Sequence, residues 1–190
     1  MAALRLFLAL TLVTGLLYPL VVTGLAHLLF PRQAEGSLLR QGDKVVGSAL
    51  LGQDFRSPRY FHPRPSATGG FPYNPMASGA SNLAPGNPEF LRQVEARARA
   101  YREENGLPEG FPVPVDAVTA SASGLEPYIS LENARLQARR VARARGLPEA
   151  KVLDLVRRHL EGRQLGLLGE PRVNVVLLNL DLDRLQREGP

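Results

Sequence analysis

The pattern of apolar and polar positions divides the chain near Pro31. From Leu6 to Phe30, 25 positions hold no lysine, arginine, aspartate or glutamate. As a helix the run spans about 37 Å at about 1.5 Å per residue, enough to cross a hydrocarbon core of about 30 Å with some tilt. A cleaved signal peptide is the competing reading. It needs an apolar region of about 7–15 residues followed by a small-x-small cleavage site, and the exit Ala26-His27-Leu28-Leu29-Phe30-Pro31 offers none. The pattern predicts a retained anchor over residues 1–30. Within it Thr11, Gly15, Pro19, Thr23 and His27 recur every fourth position. Four residues overshoot a helical turn by about 40°, so these side chains form a slowly winding stripe. Helices associate in lipid through small residues and interhelical hydrogen bonds, and the stripe is a candidate face for other transmembrane helices. The plainer reading is that Gly, Pro and Thr are common in spans and that His27 sits at the interface.

Residues 31–190 read as one polar, mixed-charge domain. Pro31 to Asp43 is a polar connector. Lys44 to Gln53 carries β-branched residues and two glycines, the pattern of a strand with a bulge or a close backbone approach. Arg56 to Pro88 is rich in proline and glycine yet holds Tyr60, Phe61, Phe71 and Tyr73. Aromatics are scarce in disordered segments, so an ordered loop is expected. Tyr60, Phe61, Arg64, Phe71, Tyr73 and Asn82 are its candidate partner-facing residues. Three amphipathic helices follow. The first has Asn87 as N-cap and Asn105-Gly106 as stop, with Phe90, Leu91, Val94, Ala98 and Tyr101 as its inward stripe. The second runs from Ser130 as N-cap to Arg145 before Gly146, and the third from Pro148 to Glu161. Between the first two, Val115 to Ser121 suits a short edge strand. The alternation of Val176, Leu178, Leu180 and Leu182 against Val173, Val175 and Leu177 predicts a strand inside a sheet over Arg172–Leu182. The fold class expected is α+β: one transmembrane helix, then one mixed α/β domain with a long Pro/Gly-rich loop.

Composition narrows the function more than the fold. Setting Arg5 aside, the domain carries 22 basic and 18 acidic residues, and the pI is about 10.1. The second helix holds Arg135, Arg139, Arg140, Arg143 and Arg145 against Glu132. This suits the helix macrodipole and also an acidic partner or lipid headgroups. Tryptophan is absent and aromatics make up 6%, with no basic–aromatic stacking pattern, which argues against nucleic acid. There is no cysteine, so neither disulfides nor thiolate metal sites form. His27, His62 and His159 show no metal-ligand spacing. Asp181 and Asp183 could hold a hard cation but are more often turn formers. No catalytic serine elbow, phosphate loop or aspartyl-phosphorylation motif is present. The residues describe an anchored accessory protein with no catalytic residue, no metal site and no cofactor of its own; a free-standing anchored binding protein or hydrolase is the alternative.

Several stretches then resemble one family. They are Gly47-Ser-Ala-Leu-Leu-Gly-Gln-Asp-Phe55, Tyr60-Phe-His-Pro-Arg-Pro-Ser-Ala67 and Ser78-Gly-Ala-Ser-Asn-Leu-Ala-Pro-Gly-Asn-Pro88. Pro114-Val-Asp-Ala-Val-Thr-Ala-Ser121, Gly124-Leu-Glu-Pro-Tyr-Ile-Ser130 and Leu168-Gly-Glu-Pro-Arg-Val-Asn174 follow in the same order. The set resembles the C subunits of Kdp potassium-transporting ATPases, with Ala122, Glu126 and Tyr128 departing from the usual glycine, aspartate and histidine. The resemblance implies a single-span subunit of the bacterial inner membrane, needed for assembly, with its domain outside the cytoplasm. That overrides the positions of Arg32, Arg40 and Lys44, which lean toward a cytoplasmic domain. It also implies as partners a channel-like potassium-selecting subunit, a P-type ATPase subunit and a small hydrophobic subunit. A family proposal adds that the C subunit raises the ATPase subunit's affinity for ATP, using a Leu-x-Gly-Gln element, here Leu50, Gly52 and Gln53. The segment lacks the helix N-terminus that would aim several N–H groups at phosphate.

Overall fold

The computed structural model of the chain describes residues 1–187. They fall into two compact units, Met1–Ser48 and the remainder from Ala49.

The first unit begins with α1, Ala2–Leu29, long and apolar enough to cross a membrane and with none of its residues buried. Pro19 sits in its interior, where a missing N–H and a ring clash would normally break a helix. The turn just before it, Val13–Leu17, is a π-turn, and the Tyr18 N–H bonds Val13 O five residues back. Opening one turn in this way lets the helix continue through Pro19. Phe30 leaves helical geometry, Pro31–Ala34 makes one further turn (α2), and a hairpin follows. Its strands β1 (Leu38–Gln41) and β2 (Lys44–Ser48) pair antiparallel around Gly42, with a bulge at Leu39/Arg40. The connector predicted over 31–43 therefore holds a strand, and the strand predicted to reach Gln53 stops at Ser48. The Ser48 hydroxyl ends it by donating to Gly36 O at 2.7 Å.

The second unit is α+β. Helices α3 (Pro88–Asn105) and α5 (Leu131–Arg145) have the predicted ends. Asn87 Oδ1 accepts from Glu89 N, Ser130 Oγ accepts from Asn133 N, and Gly106 and Gly146 close the helices in the left-handed region. Helix α3 is more peripheral than its pattern suggests, because Leu91 is 55% exposed and Tyr101 is its only buried apolar residue. Val115–Val118 is a helical turn (α4), not an edge strand. The Asp116 carboxylate accepts from Ser130 N, Ser130 Oγ and Asn133 Nδ2 at 2.8–3.0 Å, which ties α4 to the start of α5. The third helix, α6, covers Glu149–Arg158, and the chain then enters β4, Leu160–Glu161. Strands β3 (Tyr128–Ser130) and β4 flank the central β5 (Arg172–Asn174), all antiparallel.

The largest correction follows β5. The strand predicted to Leu182 ends at Asn174, and Val175–Arg187 is helix α7. Asn174 Oδ1 accepts from Val176 N and Leu177 N, both at 3.1 Å, while its Nδ2 donates to Ala49 O at 2.8 Å. A buried asparagine thus caps the helix and stops the strand. Val175, Leu178, Asn179 and Leu182 stand at i, i+3, i+4 and i+7, and all four are wholly buried. Both periods fit the residues, and the cap selects the helical one. With α5 and α6, α7 encloses Phe61, Ile129, Ala138, Val152 and Val173 as the core.

Asn174→Ala removes this cap and leaves Ala49 O unpaired, so it should lower domain stability by about 2 kcal/mol, read by urea unfolding of the detergent-solubilised chain.

Candidate docking surfaces

Residues 56–87 hold no strand and only one short 3-10 turn, Pro75–Ala77. Backbone buried without a ladder still needs partners, and helices α5 and α7 supply them from side chains. The Asn179 carboxamide accepts from Phe61 N and donates to Phe61 O, both at 2.9 Å. Gln137 does the same for His62, accepting from its N–H at 2.7 Å and donating to its carbonyl at 3.0 Å. Arg140 donates to Pro58 O and Tyr60 O, and Arg145 to Arg59 O. Five consecutive carbonyls, 58 to 62, are thereby received by four side chains. Arg145, its side chain fully buried, also pairs with Asp183 at 2.9 Å and lies over the Tyr60 ring at 4.9 Å. Tyr60 donates to Asp183 at 3.0 Å.

The candidate loop residues therefore separate. Phe61 is in the core, the opposite of partner-facing, because its backbone is bound from within. Tyr60 is held by Asp183 and Arg145. Tyr73 donates to Arg64 O, and Arg64 pairs with Glu126 at 2.9 Å. Only Phe71 and Asn82 of the six are exposed. Two of the five arginines of α5, Arg140 and Arg145, are buried for the reason just given, while Arg135, Arg139 and Arg143 are exposed. Asp181 pairs with His159 and Arg184, and Asp183 with Arg145, so neither presents free carboxylate oxygens side by side. Among the described residues no group of three His, Asp or Glu is placed to hold a metal.

The Leu50–Gln53 element has a packing explanation. Gly52 is buried, its N–H donates to Leu125 O at 2.8 Å, and a Cβ there would run into the Tyr73 ring, with Glu126 O at 2.9 Å. Leu50 is 55% exposed, Gln53 is half-buried, and the stretch is irregular backbone. In α1 the stripe Thr11, Gly15, Pro19, Thr23 and His27 is uncovered along its length, and Gly15 has open space where a side chain would be.

One surface has no counterpart in the sequence reading. The β4–β5 hairpin ends in Gln164-Leu-Gly-Leu-Leu-Gly169, with Leu165, Leu167 and Leu168 at 91%, 81% and 60% exposure. Beside it opens a cleft of about 540 Å³ lined by Val115, Tyr128, Leu168 and Pro171, with Glu126, Glu161 and Arg172 around it. Leucines set between glycines and matching no helical or strand period are the signal that could have found it.

These features define a membrane-associated α+β protein with one N-terminal apolar helix. Its sequence matches the family described as "KdpC: K+-transporting ATPase, c chain" over residues 1–184, and the chain belongs to that family. The potassium-transporting ATPase KdpC subunit of Methylibium petroleiphilum is 59% identical, the match covering 96% of this chain and 95% of the relative. That of Sorangium cellulosum is 59% identical over 95% of each, and that of Mycobacterium tuberculosis 52% over 96% of each.

Gly52→Ala should destabilise the domain by about 1–3 kcal/mol through displacement of the Tyr73 ring, measured as a fall in the urea midpoint. Glu104 supplies a pH test. A hydrogen bond from His62, at 3.0 Å, holds its carboxyl below the usual carboxylate range; burial opposes the shift and Arg140 adds to it. A carboxyl lowered in the folded state stabilises above its ordinary pKa and loses that contribution as pH falls through the folded value. The stability gap between wild type and Glu104→Gln should therefore shrink on acidification below the usual carboxylate range, followed by thermal unfolding across a pH series.

Proposed function

We infer that this chain is the accessory, non-catalytic subunit of a potassium-transporting ATPase, required for the complex to assemble and persist. The observation that carries the reading is α1: a helix long enough to span the bilayer, with no residue buried, bearing small and polar side chains every fourth position. A span with nothing to bind needs only apolar length; the stripe offers backbone approach and hydrogen-bonding groups to neighbouring helices. The π-turn adds to this reading. A turn holding an extra residue offsets part of the stripe's drift between Thr11 and Pro19.

The partners are the channel-like potassium-selecting subunit, the P-type ATPase subunit and the small hydrophobic subunit, within the bacterial inner membrane. The domain lies outside the cytoplasm, where the anchor is retained rather than cleaved. Catalysis belongs to the ATPase subunit. Gly52 serves the packing of Tyr73 against Leu125 and Glu126, and any rise in the ATPase subunit's affinity for ATP is transmitted through subunit contacts rather than through Leu50, Gly52 and Gln53. A free-standing anchored binding protein or hydrolase has no observation of its own in its favour.

The test is a detergent pull-down on this chain, probed for the ATPase subunit. Wild type should recover it. Gly15→Leu and Thr23→Leu should lower the yield about tenfold, about 1.4 kcal/mol of association energy, with α1 still inserted. Full recovery with both variants would remove the stripe from the interface, and a wild-type chain stable and alone would remove the reading.

A further inference from the structure

The β4–β5 hairpin combines two unfavourable features at one residue. The Leu167 N–H bonds Gln164 O at 3.1 Å, with Leu165 and Gly166 between them at φ +53° and +74°. Positive φ at both central positions is the pattern of a type I′ turn, in which Asn or Gly normally occupies the first place. Leucine there is strained, and at 91% exposure its side chain is also left in water. Such outliers persist where function requires them. Leu167 and Leu168 extend the apolar tip, and no charged residue occurs between Gln164 and Gly169. At the base Arg163 is closed on Glu170 by two hydrogen bonds of 2.8 Å.

From this, the geometry points to the hairpin tip as an anchor that inserts into an uncharged, apolar pocket on another subunit of the transport complex, outside the bilayer. The charge pattern selects this occupant. An element that enters a lipid interface presents free lysine or arginine beside its apolar residues and often tryptophan or tyrosine. Here the one adjacent arginine is neutralised by its own hairpin, and the tip has no aromatic residue. A neutral, preorganised tip suits a dry protein pocket, where a charge would be left unpaired. The partner segment that surrounds the leucines lies against the neighbouring cleft and meets Val115, itself 72% exposed. This assignment rests on the accessory-subunit reading and names a contact surface for it.

The experiment uses the full chain co-expressed with the other pump subunits, comparing wild type, Leu167→Asp and Leu165→Asn. Asparagine suits the left-handed position, so Leu165→Asn should raise the unfolding temperature of the domain while lowering subunit recovery severalfold. Leu167→Asp should lower recovery tenfold or more with an unchanged unfolding temperature. Undiminished recovery with both variants overturns the assignment while leaving the accessory role intact. Failure of the wild-type chain to recover any subunit overturns the role itself. Because the chain has no cysteine, a fluorophore on Leu167→Cys reports the environment directly. Protection from aqueous iodide in the complex supports the pocket. Quenching by spin-labelled lipids, or a tip-dependent dimer of this chain, overturns it.

Discussion

The domain depends on how it satisfies the backbone of Pro58 to His62. This segment enters the core at Phe61 without strand or helix, from the exposed Pro58 and Arg59 through the half-buried Tyr60 and on to the half-buried His62, and no ladder receives its carbonyls. An unpaired buried carbonyl costs about 1–3 kcal/mol, so Phe61 stays inside because Asn179 reaches its backbone, while Gln137, Arg140 and Arg145 hold the residues beside it. The arrangement is mutual. Gln137 Oε1 also accepts from Arg140, and its Nε2 donates to Asn133 Oδ1, which accepts in turn from Tyr101. The network therefore reaches from the loop through α5 to α3. Phe61 is its apolar counterpart, wholly buried among the helices.

That constraint explains where the domain's polar chemistry has gone. A proline-rich loop with aromatics, an arginine-rich helix and a pair of aspartates look like functional surfaces when taken one at a time. In the fold they are largely consumed by one another: Arg145 and Tyr60 by Asp183, Arg64 by Glu126, Arg140 by backbone carbonyls. What stays uncommitted is of a different kind, an unburied apolar helix and a leucine-tipped hairpin. A protein that leaves such apolar groups uncovered is built to adhere. This accords with its membership of a family of transport-ATPase subunits.

The legible parts of the fold were those with local causes. The ends of α3 and α5 follow from Asn87, Ser130, Gly106 and Gly146, residues whose capping action needs no tertiary context. The extent of the apolar helix α1 follows from composition alone. The strand-to-helix change at Asn174 was hidden because Val175 to Leu182 satisfies both a period of two and the helical spacing, and the carboxamide that caps the helix is held by a bond to Ala49, 125 positions away. Val115 to Val118 forms a turn because Asp116 meets Ser130, again a non-local partner. Of the candidate surfaces, the stripe follows from the recurrence of its residues at every fourth position, and all five are exposed. The inward turn of Phe61 was not, since the aromatics of an ordered loop signal burial and contact alike. The leucine hairpin was missed because its residues follow no period.

The central claim is that this chain works by adhering to a larger transport assembly. Native mass spectrometry of the detergent-extracted complex tests it most directly. The account predicts a particle whose mass contains this full-length chain together with the channel-like and ATPase subunits, and which loses cohesion when the chain is omitted from expression. Detection of the chain only as a free species, beside a complex of unchanged mass and stability, would contradict it.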